Sequence, residues 1–201
     1  NITDIDDPLL ERANRDGVDW KELAHSQIDL FRSDMELLHV LPPSHYEGAV
    51  DAIPDVVEAI AKLDKAGSVY DVDGDKYFEV HADRDFGSES HLPESEMLEI
   101  FAERGGDPKR AGKKDPLDAL LWLAHREGEP AWPSIYGDGR PGWHIECAAI
   151  ALKYAEADTD YVIDIQGGGK DLIFPHHEMS ASQVKLLTGK VFARAYLHAA
   201  L

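Results

Sequence analysis

Cysteine is nearly absent: of 201 residues only Cys147 carries a thiol. One thiol cannot close an internal disulfide, so nothing favours an oxidising compartment and a reduced, cytoplasmic setting is the default. Basic residues are also scarce. Lys and Arg number 20 against 39 Asp and Glu, a formal net charge of −19, which argues against a broad phosphate-binding face and fits a solvated acidic surface. No apolar run approaches the roughly 20 residues that span a bilayer, and no signal-peptide pattern is visible. What is present is a 43% hydrophobic content, enough to bury a core as one large or two modest domains. The chain opens on Asn1 inside what reads as a motif and stops at Leu201 without a terminating device, so it is expected to be an internal piece of a larger protein.

Periodicity divides the chain. Asp6-Asp7-Pro8 supplies a cap and a first-turn proline before a short helix, and Trp20 to Leu38 has the spacing of a long amphipathic helix ending before Leu41-Pro42-Pro43. A third helix is expected from Ile53-Pro54 to Gly67, with Val56, Val57, Ile60, Ala61 and Leu63 inward. The period then changes to two: residues 68–72 and 76–80 flank Asp73-Gly74-Asp75 and read as a hairpin. A short helix is expected near Met97 to Phe101, followed by a charged, solvated loop from Glu103 to Lys114. Ile145 to Ala155 reads as a helix, Tyr161 to Ile165 as a buried strand, Gly167-Gly168-Gly169 as a turn, and Pro175 to Leu187 as a helix halted by Gly189. That order is the pattern of an α/β sheet with nucleotide at its strand ends.

The chemistry concentrates at the C-terminal end. A thiolate and an imidazole are good zinc ligands, and three protein ligands plus an open position is the catalytic arrangement. Cys147 and His176 are the candidates; a buried small hydrophobe and an ordinary satisfied histidine are the plain alternatives. Glycines at 167–169 let a backbone approach a ligand closely, although the spacing matches neither a dinucleotide fingerprint nor a P-loop, and a simple tight turn explains them equally well. Trp143 walls either an adenine or amino-acid pocket or the core. Asp6 or Asp7 caps a helix, which leaves Asn1, Thr3 and Asp4 unexplained.

The segments Asn1 to Asp7, Asp115 to Asp118, Gly128-Glu129-Pro130, Gly139 to Cys147 and Gly167 to Glu178 together resemble the class I cysteinyl-tRNA synthetase family nearly end to end. That family has a synthetase branch and a branch that joins cysteine to glucosaminyl-inositol in mycothiol biosynthesis. The chain is similar to the latter in its Glu103-Arg104-Gly105-Gly106-Asp107-Pro108, in Leu41-Pro42-Pro43 with Gly48-Ala49-Val50, and in Gln166 where synthetases carry histidine. Ser180 stands where the synthetase pattern HHExE has its second glutamate, a zinc ligand there.

The resemblance implies a Rossmann-type α/β catalytic domain in two parts, 1–39 and 115–201, interrupted by a connective insertion over 40–114. It implies one zinc ion held by Cys147, His176 and a cysteine outside this chain, leaving room for the substrate thiolate; zinc prefers sulfur to a serine hydroxyl, which supplies specificity without an editing site. Cysteinyl-adenylate would lie against Asn1, Ile2, Thr3, Trp143, Gly169, Lys170 and Asp171, although Lys170 replaces a smaller or uncharged residue. The substrates implied are ATP, L-cysteine and the amine of glucosaminyl-inositol, on a monomer without nucleic acid. The family's HIGH and KMSKS sequences are absent from these residues. No catalytic side chain is assigned, and the longer spacer between Cys147 and Asp164 is expected to form a surface bulge. A cysteinyl-tRNA synthetase is the second reading, and a non-catalytic zinc or nucleotide-binding module the third.

Overall fold

The computed structural model describes residues 1–155 and 160–200, and the chain divides by contacts into two compact units, Asn1–Ala52 and Ile53–Leu201. The expected bulge after Cys147 falls partly on 156–159, outside the described residues.

The first unit contains α1 (Asp7–Asp16) and α2 (Trp20–Leu37), which pack together. The α1 start is as its residues dictate: Oδ1 of Asp6 accepts the Leu9 N–H at 2.8 Å, Pro8 occupies the first turn, and Gly17 closes the helix at φ +67°. Asp19 caps α2 by accepting from Lys21 and Glu22. The segment before α1 is tied to the loop 47–50 by Ile2 N–H to Glu47 O at 2.7 Å and Ala49 N–H to Ile2 O at 2.8 Å. Asp4 has a structural task that its sequence position hides: its Oδ1 accepts the Val50 N–H at 2.9 Å.

The second unit opens with α3 (Ile53–Lys65), whose buried face is Ile53, Val56, Ala59, Ile60 and Leu63; Ala59, not Ala61, completes the stripe. The hairpin is β1 (Val69–Val72) and β2 (Asp75–Phe78), joined by Asp73 at φ +54° and Gly74 at φ +93°. Two successive positive φ values make the turn whose twist matches paired strands. This hairpin is not separate: β2 pairs antiparallel with β3 (Ala119–Ala124), and β3 with β4 (Gly139–Pro141), in one four-stranded sheet. The contact division lies at 52/53, and backbone pairing runs straight across 114/115, with Phe78 buried in the same core as Leu121 and Trp122. Helix α4 (Glu94–Glu103) precedes the charged loop.

The remaining elements are α5 (Trp143–Lys153), β5 (Tyr161–Gly169), α6 (Glu178–Thr188) and β6 (Val191–Ala199). Helices α3, α5 and α6 pack on one another, burying Ile145, Ala148, Met179 and Val184. Strands β5 and β6 pair in parallel across α6, forming one β-α-β unit. Three expectations are corrected. The triple glycine is strand, not turn: Gly167, Gly168 and Gly169 pair with Leu197, His198 and Ala199, and the turn is Lys170–Leu172. Strand β5 is mostly half-exposed, with only Val162 buried. Helix α6 starts at Glu178 and not at Pro175, because Phe174 is extended (φ −139°, ψ 138°) ahead of a cis Phe174–Pro175 bond. No helix among the described residues is long and apolar enough to cross a membrane.

Candidate active site

Gly142 leads the chain into α5 with its N–H on Leu121 O at 2.9 Å, so close to β3 that a Cβ there would strike the Leu120 carbonyl. Trp143 and His144 therefore emerge at a fixed place. The Trp143 ring stacks on His176 at 4.5 Å between centroids, and His144 Nδ1 lies 3.0 Å from His176 Nδ1. Cys147, half-buried, follows Trp143 by four residues and His144 by three, so helical geometry puts it on their face of α5. The two residues that share this face with the thiol are the two that hold His176.

The imidazole contact restricts protonation. Two ring nitrogens share a hydrogen bond only if one donates and the other accepts. If His176 Nδ1–H donates to His144 Nδ1, the His176 Nε2 keeps its lone pair and can bind a metal; the reverse tautomer puts a proton there. Burial, followed by the neighbouring His177, lowers His176 to about 4, and burial drives His144 well below the ordinary histidine value. Both rings are neutral at physiological pH, as metal ligation and its supporting shell require. Among the described residues, no group of three or more His, Cys, Asp or Glu could hold a metal. A thiol and a neutral imidazole, as at Cys147 and His176, are donor types that a zinc shell uses. Ser180, at the glutamate position of the synthetase pattern, is 1% exposed and directs its hydroxyl to His144 O at 3.4 Å.

The second histidine has a different task. His177 Nδ1 is 2.7 Å from His198 Nε2, and its Nε2 is 2.9 Å from the Gln166 amide nitrogen. The amide donates, so His177 accepts at Nε2 and donates from Nδ1, bridging β5 to β6. Burial first, and His198 next, lowers His177 to about 4, with Asp171 opposing. A Cβ on Gly168 would lie 3.0 Å from His177 Cε1 and 2.8 Å from Leu172 Cδ1, which explains that glycine as close packing within a strand.

Glu178 is 1% exposed and accepts the N–H groups of Gly87 (2.7 Å), Glu89 (3.1 Å) and Ser90 (2.7 Å). Both its oxygens are engaged. The loop after α4 is also no free solvated loop: Arg104 Nη1 donates to the Asp171 and Phe174 carbonyls, and Asp107 takes the Tyr77 hydroxyl and Lys113. Lys170 and Asp171 are exposed on the turn after β5, and a Cβ on Gly169 would collide with Asp171 Oδ1. Asn1, Ile2 and Thr3 belong to the first unit, where with Leu9, Ala24 and Phe31 they line a cavity of about 330 Å³. Of the residues singled out from sequence, the structure brings Trp143 and His176 into contact and puts Cys147 on the adjoining helical face. His144, His198 and Glu178 were given no role from sequence, and Gln166 and Arg104 were read only as marks of the family branch and not for the contacts they make; the His in Trp143-His144 was the one local hint.

The family of class I (C) tRNA synthetase catalytic domains matches residues 1–201. Among curated proteins, the L-cysteine:1D-myo-inositol 2-amino-2-deoxy-alpha-D-glucopyranoside ligase of Kribbella flavida is 60% identical over 100% of this chain and 49% of its own length. The protein of the same name from Thermomonospora curvata is 58% identical over 98% of the chain and 47% of its length, and that from Streptomyces coelicolor 56% over 100% and 49%. The chain spans about half the length of the curated relatives it matches.

Proposed function

The chain belongs to the family of class I (C) tRNA synthetase catalytic domains, and from that membership we propose that the protein containing it is an ATP-dependent, AMP-forming ligase that joins cysteine to the amine of glucosaminyl-inositol. The observation that carries the reading is the imidazole of His176, held neutral between Trp143 and His144 on the helical face that also presents Cys147. Relatives at 56–60% identity bearing the ligase name favour this acceptor over tRNA.

Cys147 and His176 would hold zinc, whose chemistry is to bind the thiolate of the incoming amino acid and reject serine. The cysteine carboxylate attacks the α-phosphorus of ATP with loss of pyrophosphate; the acceptor amine then attacks the adenylate carbonyl and AMP leaves. Trp143, Gly169, Lys170 and Asp171, with Asn1, Ile2 and Thr3, are the proposed adenylate contacts. Their contribution is orientation and charge stabilisation. The Gly169 backbone is extended at φ −73°, and its lack of a Cβ leaves room for the Asp171 carboxylate. The parallel β5-α6-β6 unit supports the reading of a Rossmann-type domain. The segment 40–114 would correspond to the family's connective insertion, here sharing its sheet with 119–141. A cytoplasmic, monomeric enzyme completes the proposal.

The test is incubation of the full-length protein with cysteine, ATP and glucosaminyl-inositol. The amide product with release of AMP is expected; charging of tRNA in its place would establish the synthetase reading, and absence of any cysteine-dependent pyrophosphate exchange the non-catalytic one. Elemental analysis should show zinc, diminished in Cys147→Ala and His176→Ala tested separately.

A further inference from the structure

Beside the turn Lys170–Leu172 lies a cleft of about 470 Å³. Four charged side chains border it: Glu96 and Arg104 from the α4 region, and Lys170 and Asp171 from the turn. Its apolar wall is Leu92, Ile100, Ile173 and Phe174. No ion pair joins the four charged groups among the described residues, so two carboxylates and two cations stand separately around one space of small-ligand size. Ser90, also on its border, is 9% exposed and its buried hydroxyl has no protein partner.

We propose that this cleft is the acceptor subsite and holds the neutral polyol ring of the amine acceptor; the proposal rests on the ligase reading above. The balance of charge selects the ligand class. A phosphate would meet Glu96 and Asp171, and a divalent cation would meet Arg104 and Lys170, each with repulsion that cancels the attraction. A purely apolar guest would strip water from four charges without replacing its hydrogen bonds. A polyhydroxylated ring satisfies all of them: its hydroxyls donate to carboxylates and accept from cations, while its C–H face lies on Ile100 and Phe174. The cleft shares Lys170 and Asp171 with the proposed adenylate contacts, so an acceptor seated in it adjoins the carbonyl its amine must attack. Arg104 also fixes the shape of the border, since its guanidinium donates to the carbonyls of Asp171 and Phe174.

The test uses full-length protein carrying Glu96→Ala, which removes an exposed carboxylate, and Ile100→Trp, which fills the cleft from its apolar side. In each variant the KM for glucosaminyl-inositol is expected to rise at least about tenfold, the effect of one lost hydrogen bond to a charged group, and to rise more than the KM for cysteine or ATP. Saturation-transfer NMR with free myo-inositol as probe should show contact with the wild type and less with Ile100→Trp. Unchanged acceptor KM in both variants, with amide formation intact, overturns the subsite and leaves the ligase reading standing. A wild-type protein that makes no amide from glucosaminyl-inositol overturns both.

Discussion

Replacing Glu178 is the sharpest perturbation of the site that leaves its candidate metal ligands untouched. The carboxylate is buried on the first turn of α6 and accepts from three backbone N–H groups of the loop Gly87–Ser90, which lie about ninety residues earlier in the chain. Hydrogen bonds to a charged group contribute about 1.5–3 kcal/mol each, and a donor left unsatisfied in the interior costs about 1–3 kcal/mol. Three such donors do not add fully, because the loop can open to water. Glu178→Ala should therefore lose about 3–5 kcal/mol, the range seen when one member of a buried charged set is removed. Glu178→Gln keeps the shape and one acceptor oxygen but turns an NH2 towards a donor, so roughly half that loss is expected. Urea denaturation of the full-length protein measures both, and amide exchange at Gly87, Glu89 and Ser90 should accelerate in step. Because Oε1 and Oε2 are both occupied by the loop, zinc content should stay at its wild-type level. A Glu178→Ala stability within about 0.5 kcal/mol of wild type, or loss of zinc in Glu178→Gln, would refute this account of the residue.

Stability of the metal-stripped protein should fall as pH drops from about 6.5 to about 4, because His176 and His177 are neutral in the fold with values near 4 and the unfolded chain binds the extra protons at the ordinary histidine value. The loss should be a few kcal/mol in all, absent above pH 6.5, and a flat profile across that window in thermal melts would contradict it. Asp75→Ala should cost about 3–5 kcal/mol by denaturation, since this 0% exposed carboxylate meets Arg110 at 2.8 Å, Arg126 at 2.9 Å and the Ala124 N–H at 2.9 Å. Gly74→Ala should cost only about 1 kcal/mol, because φ is +93° while the nearest atom to the new Cβ, 3.6 Å away on Ala124, leaves room.

What could be read along the chain was local chemistry. The cap at Asp6, the Asp73-Gly74 turn, and the helix stops at Gly67 and Gly189 each depend on a residue and its immediate neighbours, and each stands as its composition implies. The failures share a different cause. Three consecutive glycines have poor strand propensity, yet 167–169 are strand because β6 supplies backbone partners thirty residues away, and at Gly168 Leu172 and His177 crowd the space where a side chain would stand. Strand β6 itself lacks clean alternation, since only Phe192 and Ala193 are buried. At the site, Cys147, Trp143 and His176 are visible as motif residues, whereas the partners that orient them act across distances the sequence does not display: His144 to His176 over 32 positions and Arg104 to Phe174 over 70. The charged composition of Glu103 to Lys114 suggested solvent, but charge is equally a means of gripping carbonyls, and only the fold decides which.

These contacts also bear on how the fold and the proposed zinc ion would depend on each other. In small zinc domains the ion creates the fold, because the ligands have no other reason to converge. His176 has protein partners of its own: Trp143 covers one face and His144 meets its Nδ1, while Ile145 of α5, Phe174 before the cis bond and Met179 of α6 are each 1% exposed or less. The residues beside the imidazole belong to a hydrophobic core shared with α3 and β3, so binding of the proposed ion would have little conformational entropy left to remove. Chelation of the full-length protein should accordingly abolish discrimination of cysteine from serine in pyrophosphate exchange while leaving a single cooperative thermal transition. Its midpoint should shift by no more than the mass-action stabilisation of one bound ion. Unfolding on chelation at ambient temperature would show that the core around His176 depends on the ion after all.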